Sequence, residues 1–144
     1  MWKEMIKSLT NQCEFYLPVR HGLISAVERS LGMSLPDELK GLLAESNGVL
    51  AAYGLGLIWP IERIESDNLE FRQRPDFREL YMPFDSLLFF ADAGNGDQFA
   101  FTVLNGVVRR PDVFVWNHED DSRTWVAPSL QIYLEWWLGG KLSL

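Results

Sequence analysis

Two sharp corners fix the topology of a long stretch of this chain. Between Leu87 and Glu119 the sequence reads LLFFADAGNGDQFAFTVLNGVVRRPDVFVWNHE. An apolar run, Leu87 to Ala91, meets the polar corner Asp92-Ala93-Gly94-Asn95-Gly96-Asp97. Phe99 to Val103 follows, then Asn105-Gly106, then the run Val113 to Trp116. Asn-Gly between apolar runs marks a hairpin, because both central residues of a type I′ turn need positive φ. Two such corners predict an antiparallel meander over about 87–117. It forms the centre of a sheet, with helices before and after it covering the apolar side.

Those helices are legible from spacing. Trp2, Met5, Ile6 and Leu9 recur at intervals of three and four, which predicts a helix running on to about Tyr16, before Pro18. A second helix spans about His21 to Leu31, with Leu23, Ile24, Val27 and Leu31 on one face and Gly32 as terminator. Leu35-Pro36-Asp37-Glu38-Leu39 opens a third. Proline suits a first turn, where a missing N–H costs nothing, and the two acids complement the helix dipole. Leu39, Leu42 and Leu43 are its buried stripe, and Asn47-Gly48 supplies a left-handed stop.

Leu57-Ile58-Trp59-Pro60 reads as a short strand ending at the proline. Ile61 to Arg72 is in phase for a helix at Ile61, Ile64 and Leu69. Arg72 to Pro83, with mixed charge and two prolines, reads as a surface excursion, and Glu119 to Arg123 as a polar loop. Ser129 caps a last helix in which Leu130, Tyr133, Leu134, Trp137 and Leu138 fall at i, i+3, i+4, i+7 and i+8. Gly139-Gly140 ends it. The reading is one α+β domain over residues 1–144.

Composition narrows the function. With 47% apolar and 23% charged residues the chain is an ordinary folding sequence. Six Trp, nine Phe and four Tyr are more rings than a core of this size needs, so some are expected in a groove or interface. The net charge of −7, with no basic tract, argues against nucleic acid; by default it only keeps the domain soluble, and the alternative is that it favours encounter with a basic partner. One cysteine, Cys13, excludes an internal disulfide and a cysteine-based zinc site, and it is expected on the first helix. No apolar run approaches membrane-span length and no signal-peptide pattern opens the chain, so the expectation is a cytosolic protein that needs no membrane.

The polar clusters offer little chemistry. Asp92 to Asp97 resembles a calcium loop but puts Gly94 and Gly96 at ligand positions and Asp97 where glycine is required. It reads as a corner. His118-Glu119-Asp120-Asp121 sets an imidazole among three carboxylates, which a metal or a base-catalysed hydrolysis would use. The only other histidine, His21, is remote in sequence. Asp97 and Glu119 are a conceivable carboxylate pair across strands. Arg72, Arg74 and Arg78 read as a solvated basic face. No nucleophile elbow or phosphate loop occurs. Trp59, Trp116, Trp125, Trp136 and Trp137 are core rings by default; on the last helix the period buries Trp137 and leaves Trp136 partly exposed.

Taken in order, several pieces resemble the SUKH superfamily, the domain of a yeast cell-wall assembly regulator, of bacterial Syd and of many toxin-immunity proteins. They are Leu35-Pro36 opening a helix that ends at Asn47-Gly48, then Ile58-Trp59-Pro60-Ile61, and Phe90-Ala91. Gly94-x-Gly96-Asp97 with Phe99 follows, then a strand into His118-Glu119, and Ala127-x-Ser129-Leu130. The match covers about Ile24 to Leu138. Leu130 stands where the family often has Phe, Thr102 where an acid is common, and 61–85 matches no part of it.

The resemblance implies an α+β domain without catalytic residues, cofactor or metal, whose bacterial role is to neutralise a toxin, often a nuclease, by stoichiometric binding. The expected partner is a basic toxin domain, and the expected state is a monomer or weak homodimer. Trp59, Asp92, Asn95, Asp97, His118, Glu119, Asp120 and Asp121 are the candidate contacts. A regulatory scaffold for a host protein is the second reading, and a metal-dependent hydrolase centred on His118 the third.

Overall fold

The structure, a computed structural model, describes residues 1–144. Its centre is an antiparallel sheet of β4 (Leu87–Asp92), β5 (Gln98–Thr102), β6 (Val113–Trp116) and β7 (Arg123–Ala127), each paired with the next. The expected meander is there. Asn105 and Gly106 take φ of 52° and 74°, closing a tight turn that the Leu104–Val107 bridge completes. The fourth strand was not anticipated. β7 claims Arg123, so the polar loop stops at Ser122; its Thr, Trp and Val suit a pleated surface, but only pairing with β6 makes the segment extended.

A second, smaller sheet holds β1 (Glu14–Phe15), β2 (Val49–Leu50) and β3 (Gly56–Ile58), also antiparallel. It joins the first through Trp59 N–H, which donates to the Phe90 carbonyl at 2.8 Å. β1 corrects the expected first helix. α1 (Trp2–Leu9) ends at Thr10, whose backbone is extended, and the chain straightens to pair with β2. Polar Asn11 and Gln12 offer no apolar residue to continue the helical stripe. Cys13 therefore lies in an extended link rather than on a helix, half-buried, with its thiol pKa raised by that burial.

α2 (Leu23–Leu31) is as expected, with left-handed Gly32 at its end. α3 (Asp37–Leu43) follows Pro36 and buries Leu39, Leu42 and Leu43. Its stop differs from the expected one. Ala44 is still right-handed, and Gly48, at φ 90°, lies beyond the helix at the entry to β2. A Cβ there would sit 2.8 Å from Pro60 N, so this glycine also permits a close backbone approach.

Phe89 and Phe90 are consecutive in β4 and so face opposite sides of the sheet. Phe90 meets α6 (Leu130–Leu138). It stacks on Phe101 at 4.5 Å and lies 5.5 Å from Tyr133, which also packs 4.8 Å from Phe99. Burial holds the Tyr133 phenol pKa well above its ordinary value, with the Asp92 charge adding to it, and its OH donates to the Leu57 carbonyl at 3.1 Å. Ser129 caps α6 as expected, accepting from Ile132 N–H at 3.2 Å. Trp137 differs from the periodic reading: it is half-buried, as is Trp136.

Phe89 faces α4 (Ile61–Gln73) and α5 (Pro75–Leu80). Here Phe71, Phe77, Tyr81, Phe84, Phe89 and Trp116 form one cluster, with ring centroids 5.0–6.0 Å apart and mostly edge-to-face. Such pairs contribute about 0.5–1.5 kcal/mol each beyond burial. The segment Arg72 to Pro83 is thus no excursion. Pro75 starts α5 and Phe77 docks 5.0 Å from Phe71, so the stretch closes one face of the sheet. All of these buried apolar residues belong to one contiguous core.

Candidate functional site

In a sheet of consecutive hairpins, the β4–β5 and β6–β7 connections lie at the same end. Most of the polar candidates therefore converge although the sequence separates them by about twenty residues. The joint is Asp97. Its Oδ1 accepts from His118 N–H at 3.1 Å and lies 2.6 Å from His118 Nδ1. Asn95 Oδ1 accepts from Asp97 N–H at 3.1 Å, which shapes the corner from within. Gly96 at φ 97° has no room for a side chain: a Cβ would lie 2.9 Å from the imidazole. Asp97 pairs with the histidine rather than with Glu119.

Asp121 anchors the other turn. Its carboxylate accepts from Trp116 Nε1 at 2.8 Å, Met82 N–H at 2.9 Å and Arg123 at 3.1 Å. Burial pushes its pKa up, but these donors outweigh burial and hold it below the usual carboxylate range. Asp120 accepts from Ser122 N–H at 2.9 Å, which lowers it likewise. Tyr81 OH donates to the His118 carbonyl at 3.0 Å and ties the turn to the aromatic cluster.

Asp92 faces Arg63 in a two-pronged pair at 2.8 and 2.9 Å, and Arg63 Nε reaches Asp67 at 3.0 Å. Burial lowers the guanidinium pKa, and the bonds to both carboxylates more than restore it. The same guanidinium lies 4.0 Å from the Trp59 ring centroid. Trp59 needs correction as a contact residue: the ring is fully buried and presents no face to a partner. Docking of β3 on β4 hides it.

The end of the sheet thus has two rows. Asp97 is buried and Asp121 half-buried, and the two hold the turns together; Asn95, Glu119 and Asp120 are exposed. The three arginines read as a basic face are engaged elsewhere. Arg72 donates to the Leu87 carbonyl, Arg78 to the Arg72 carbonyl, and Arg74 pairs with Asp76 at 2.6 Å. No three His, Cys, Asp or Glu side chains converge to hold a metal ion.

Sequence reasoning missed Tyr53. It sits in the short turn Ala52–Gly54 between β2 and β3, at φ 61°, with its side chain wholly in solvent. A left-handed conformation is costly for a bulky residue, typically about 1–3 kcal/mol. The ring recovers none of that by packing. On one side of it lies a recess of about 500 Å³ walled by Leu55, Asp92, Gly94 and Asp97. On the other lies an apolar hollow of about 300 Å³ with Cys13, Leu55, Trp137 and Leu138. The only sequence signal is a lone ring among Ala51, Ala52 and Gly54, where no helical or strand period assigns it a buried face.

These features define an α+β domain of two antiparallel sheets, enclosed by helices, with an acidic turn end and a projecting tyrosine. A family model described as SMI1-KNR4 cell-wall, SUKH_6, matches residues 21–134, and the chain belongs to that family. Membership is consistent with a non-enzymatic binding domain. No curated protein matches the chain significantly. No helix is long and apolar enough to cross a membrane.

Proposed function

We propose that this chain is a non-enzymatic immunity protein that neutralises a basic toxin domain by stoichiometric binding through the acidic turn end. The observation that carries the reading is Tyr53, a strained ring that packs on nothing and stands beside a recess lined by Asp92 and Asp97. Tyrosine is a favoured interface anchor, because it offers a large rigid surface and a polar tip. Its neighbours supply the steering. Glu119 and Asp120 are exposed, and the net charge of −7 draws a cationic partner toward the molecule.

The inner row serves this surface by holding it still. Asp97 locks the β4–β5 corner to His118, and Asp121 locks the β6–β7 turn to Trp116 and Met82. A contact surface fixed before binding loses less entropy on association. His118 is accordingly a structural partner of Asp97, not a base.

The test is co-expression. The C-terminal domain of the polypeptide encoded immediately upstream is produced in a sensitive host, with and without this protein. Rescue of growth and a one-to-one complex support immunity. Absence of toxicity, or toxicity without rescue, overturns it in favour of a regulatory scaffold with a constitutive host partner.

A further inference from the structure

The end of the main sheet opposite the acidic turns carries a separate signal. Val103 and Gly106 belong to the β5–β6 connection, which a run of consecutive hairpins places at that end. Together with Arg72 of α4 and Arg78 of α5 they wall a recess of about 410 Å³.

Four arginines of the chain are half-buried, and three of them meet a carboxylate. Arg63 reaches Asp92 at 2.8 Å, Arg74 reaches Asp76 at 2.6 Å, and Arg123 reaches Asp121 at 3.1 Å. Arg72 is the exception. Its Nη2 donates to the Leu87 carbonyl at 3.1 Å and lies 3.7 Å from Met33 Sδ, and both partners are neutral. Nε is buried without an acceptor, while Nη1 is accessible and also has none. Burial lowers the guanidinium pKa, and the charge of Asp85 in the same recess restores only part of it.

Arg78 adds a second charge that no carboxylate meets. Its Nε and Nη2 donate only to the Arg72 carbonyl, at 3.4 and 3.3 Å. A chain with 20 acidic residues against 13 basic ones has carboxylates to spare. Leaving a half-buried guanidinium without one costs free energy, because a desolvated charge needs a partner. The paired state of the other three makes the exception specific to this recess.

The walls describe the missing partner. Guanidinium forks select carboxylates and phosphates. Asp85 decides between them, since it repels a phosphate dianion more than a singly charged carboxylate. Leu31, Met33, Leu69 and Val103 offer apolar surface to a hydrocarbon body, and the volume falls in the range of small-molecule sites.

We infer that this recess binds a small organic acid, with its carboxylate on Arg72 Nη1 and Arg78 and its apolar body against Leu69 and Val103. The site lies apart from the acidic turn end and stands or falls independently of it.

The test titrates benzoate, its neutral counterpart benzamide, and inorganic phosphate into the intact isotope-labelled protein at neutral pH. NMR follows the Arg72 Nε–H and the Gly106 amide. The expected result is a saturable shift of both signals at millimolar benzoate, with benzamide at least tenfold weaker and phosphate weaker than benzoate. Arg78→Gln should weaken benzoate at least threefold, and Asp85→Asn should tighten it at least threefold. Both positions are exposed, so the variants keep the fold. An Arg72 that only fastens the Leu87 carbonyl would show no such preference for charge. No saturation, benzamide or phosphate binding as well as benzoate, an Arg78→Gln variant that binds as tightly as wild type, or an Asp85→Asn variant that binds no better overturns the inference.

Discussion

The aromatic face of the main sheet and the turn end beside it use rings in opposite ways. Under α4 and α5, Phe84 touches Phe71, Phe77, Tyr81, Phe89 and Trp116, and nearly all its surface is buried. At the turn between β2 and β3, Tyr53 touches none of them, projects into solvent and holds a backbone conformation that penalises it. A ring that stabilises the fold and a ring that strains it have different work. The first is explained by burial alone. The second gains nothing from packing, and that is the ground for proposing a binding role for it.

The largest effect should come from the packed side. Phe84→Ala removes a ring from the centre of the cluster and should cost about 3–5 kcal/mol, read from urea unfolding. If the loss is under about 1 kcal/mol, the cluster is not the tightly packed region this contrast assumes. Partner affinity at the turn end should be unchanged as long as the variant is folded.

A smaller loss is expected where the turn end is tied to the core. Asp121→Asn should cost about 1–3 kcal/mol at neutral pH, because the replacement breaks charge-assisted bonds to Trp116, Met82 and Arg123. The native pKa of Asp121 is depressed, so its stabilisation is complete above the unfolded value near 3.9 and disappears as pH falls through the native one. The gap between wild type and variant should therefore hold steady above about pH 4 and close below it. A gap that widens in acid would contradict the assigned pairing.

The least effect on the fold is expected from the outer row. Glu119→Gln combined with Asp120→Asn should leave thermal unfolding nearly unchanged while slowing association with a basic partner at low salt. The dependence of the rate on ionic strength should fall as well. Stopped-flow mixing across a salt series measures both, and unaltered rates would remove these carboxylates from steering.

What the sequence disclosed follows the range of the forces involved. The meander was legible because Asn105-Gly106 and the Gly94–Gly96 corner encode their own φ values. Ser129 announced α6 for the same local reason. β1 and β7 were not legible, since two-residue and five-residue strands are made by their partners rather than by propensity. α5 hid behind its charges and its six-residue length, too short for a periodic signal. At the candidate site, Asp97 and His118 were each picked out, but their contact depends on the register of three strands. Trp59 was misjudged because its burial is decided by β3 meeting β4. Tyr53 went unseen because neither exposure nor strain is written in residue type.

The role proposed for Tyr53 is to serve binding at the expense of the fold. The direct measurement pairs thermal unfolding with isothermal titration of the partner for wild type and Tyr53→Asn, since asparagine tolerates the left-handed region. The variant should unfold at an equal or higher temperature, with a stability gain of up to about 1 kcal/mol, and should bind at least tenfold more weakly. A variant that is less stable, or that binds as tightly as wild type, would contradict it.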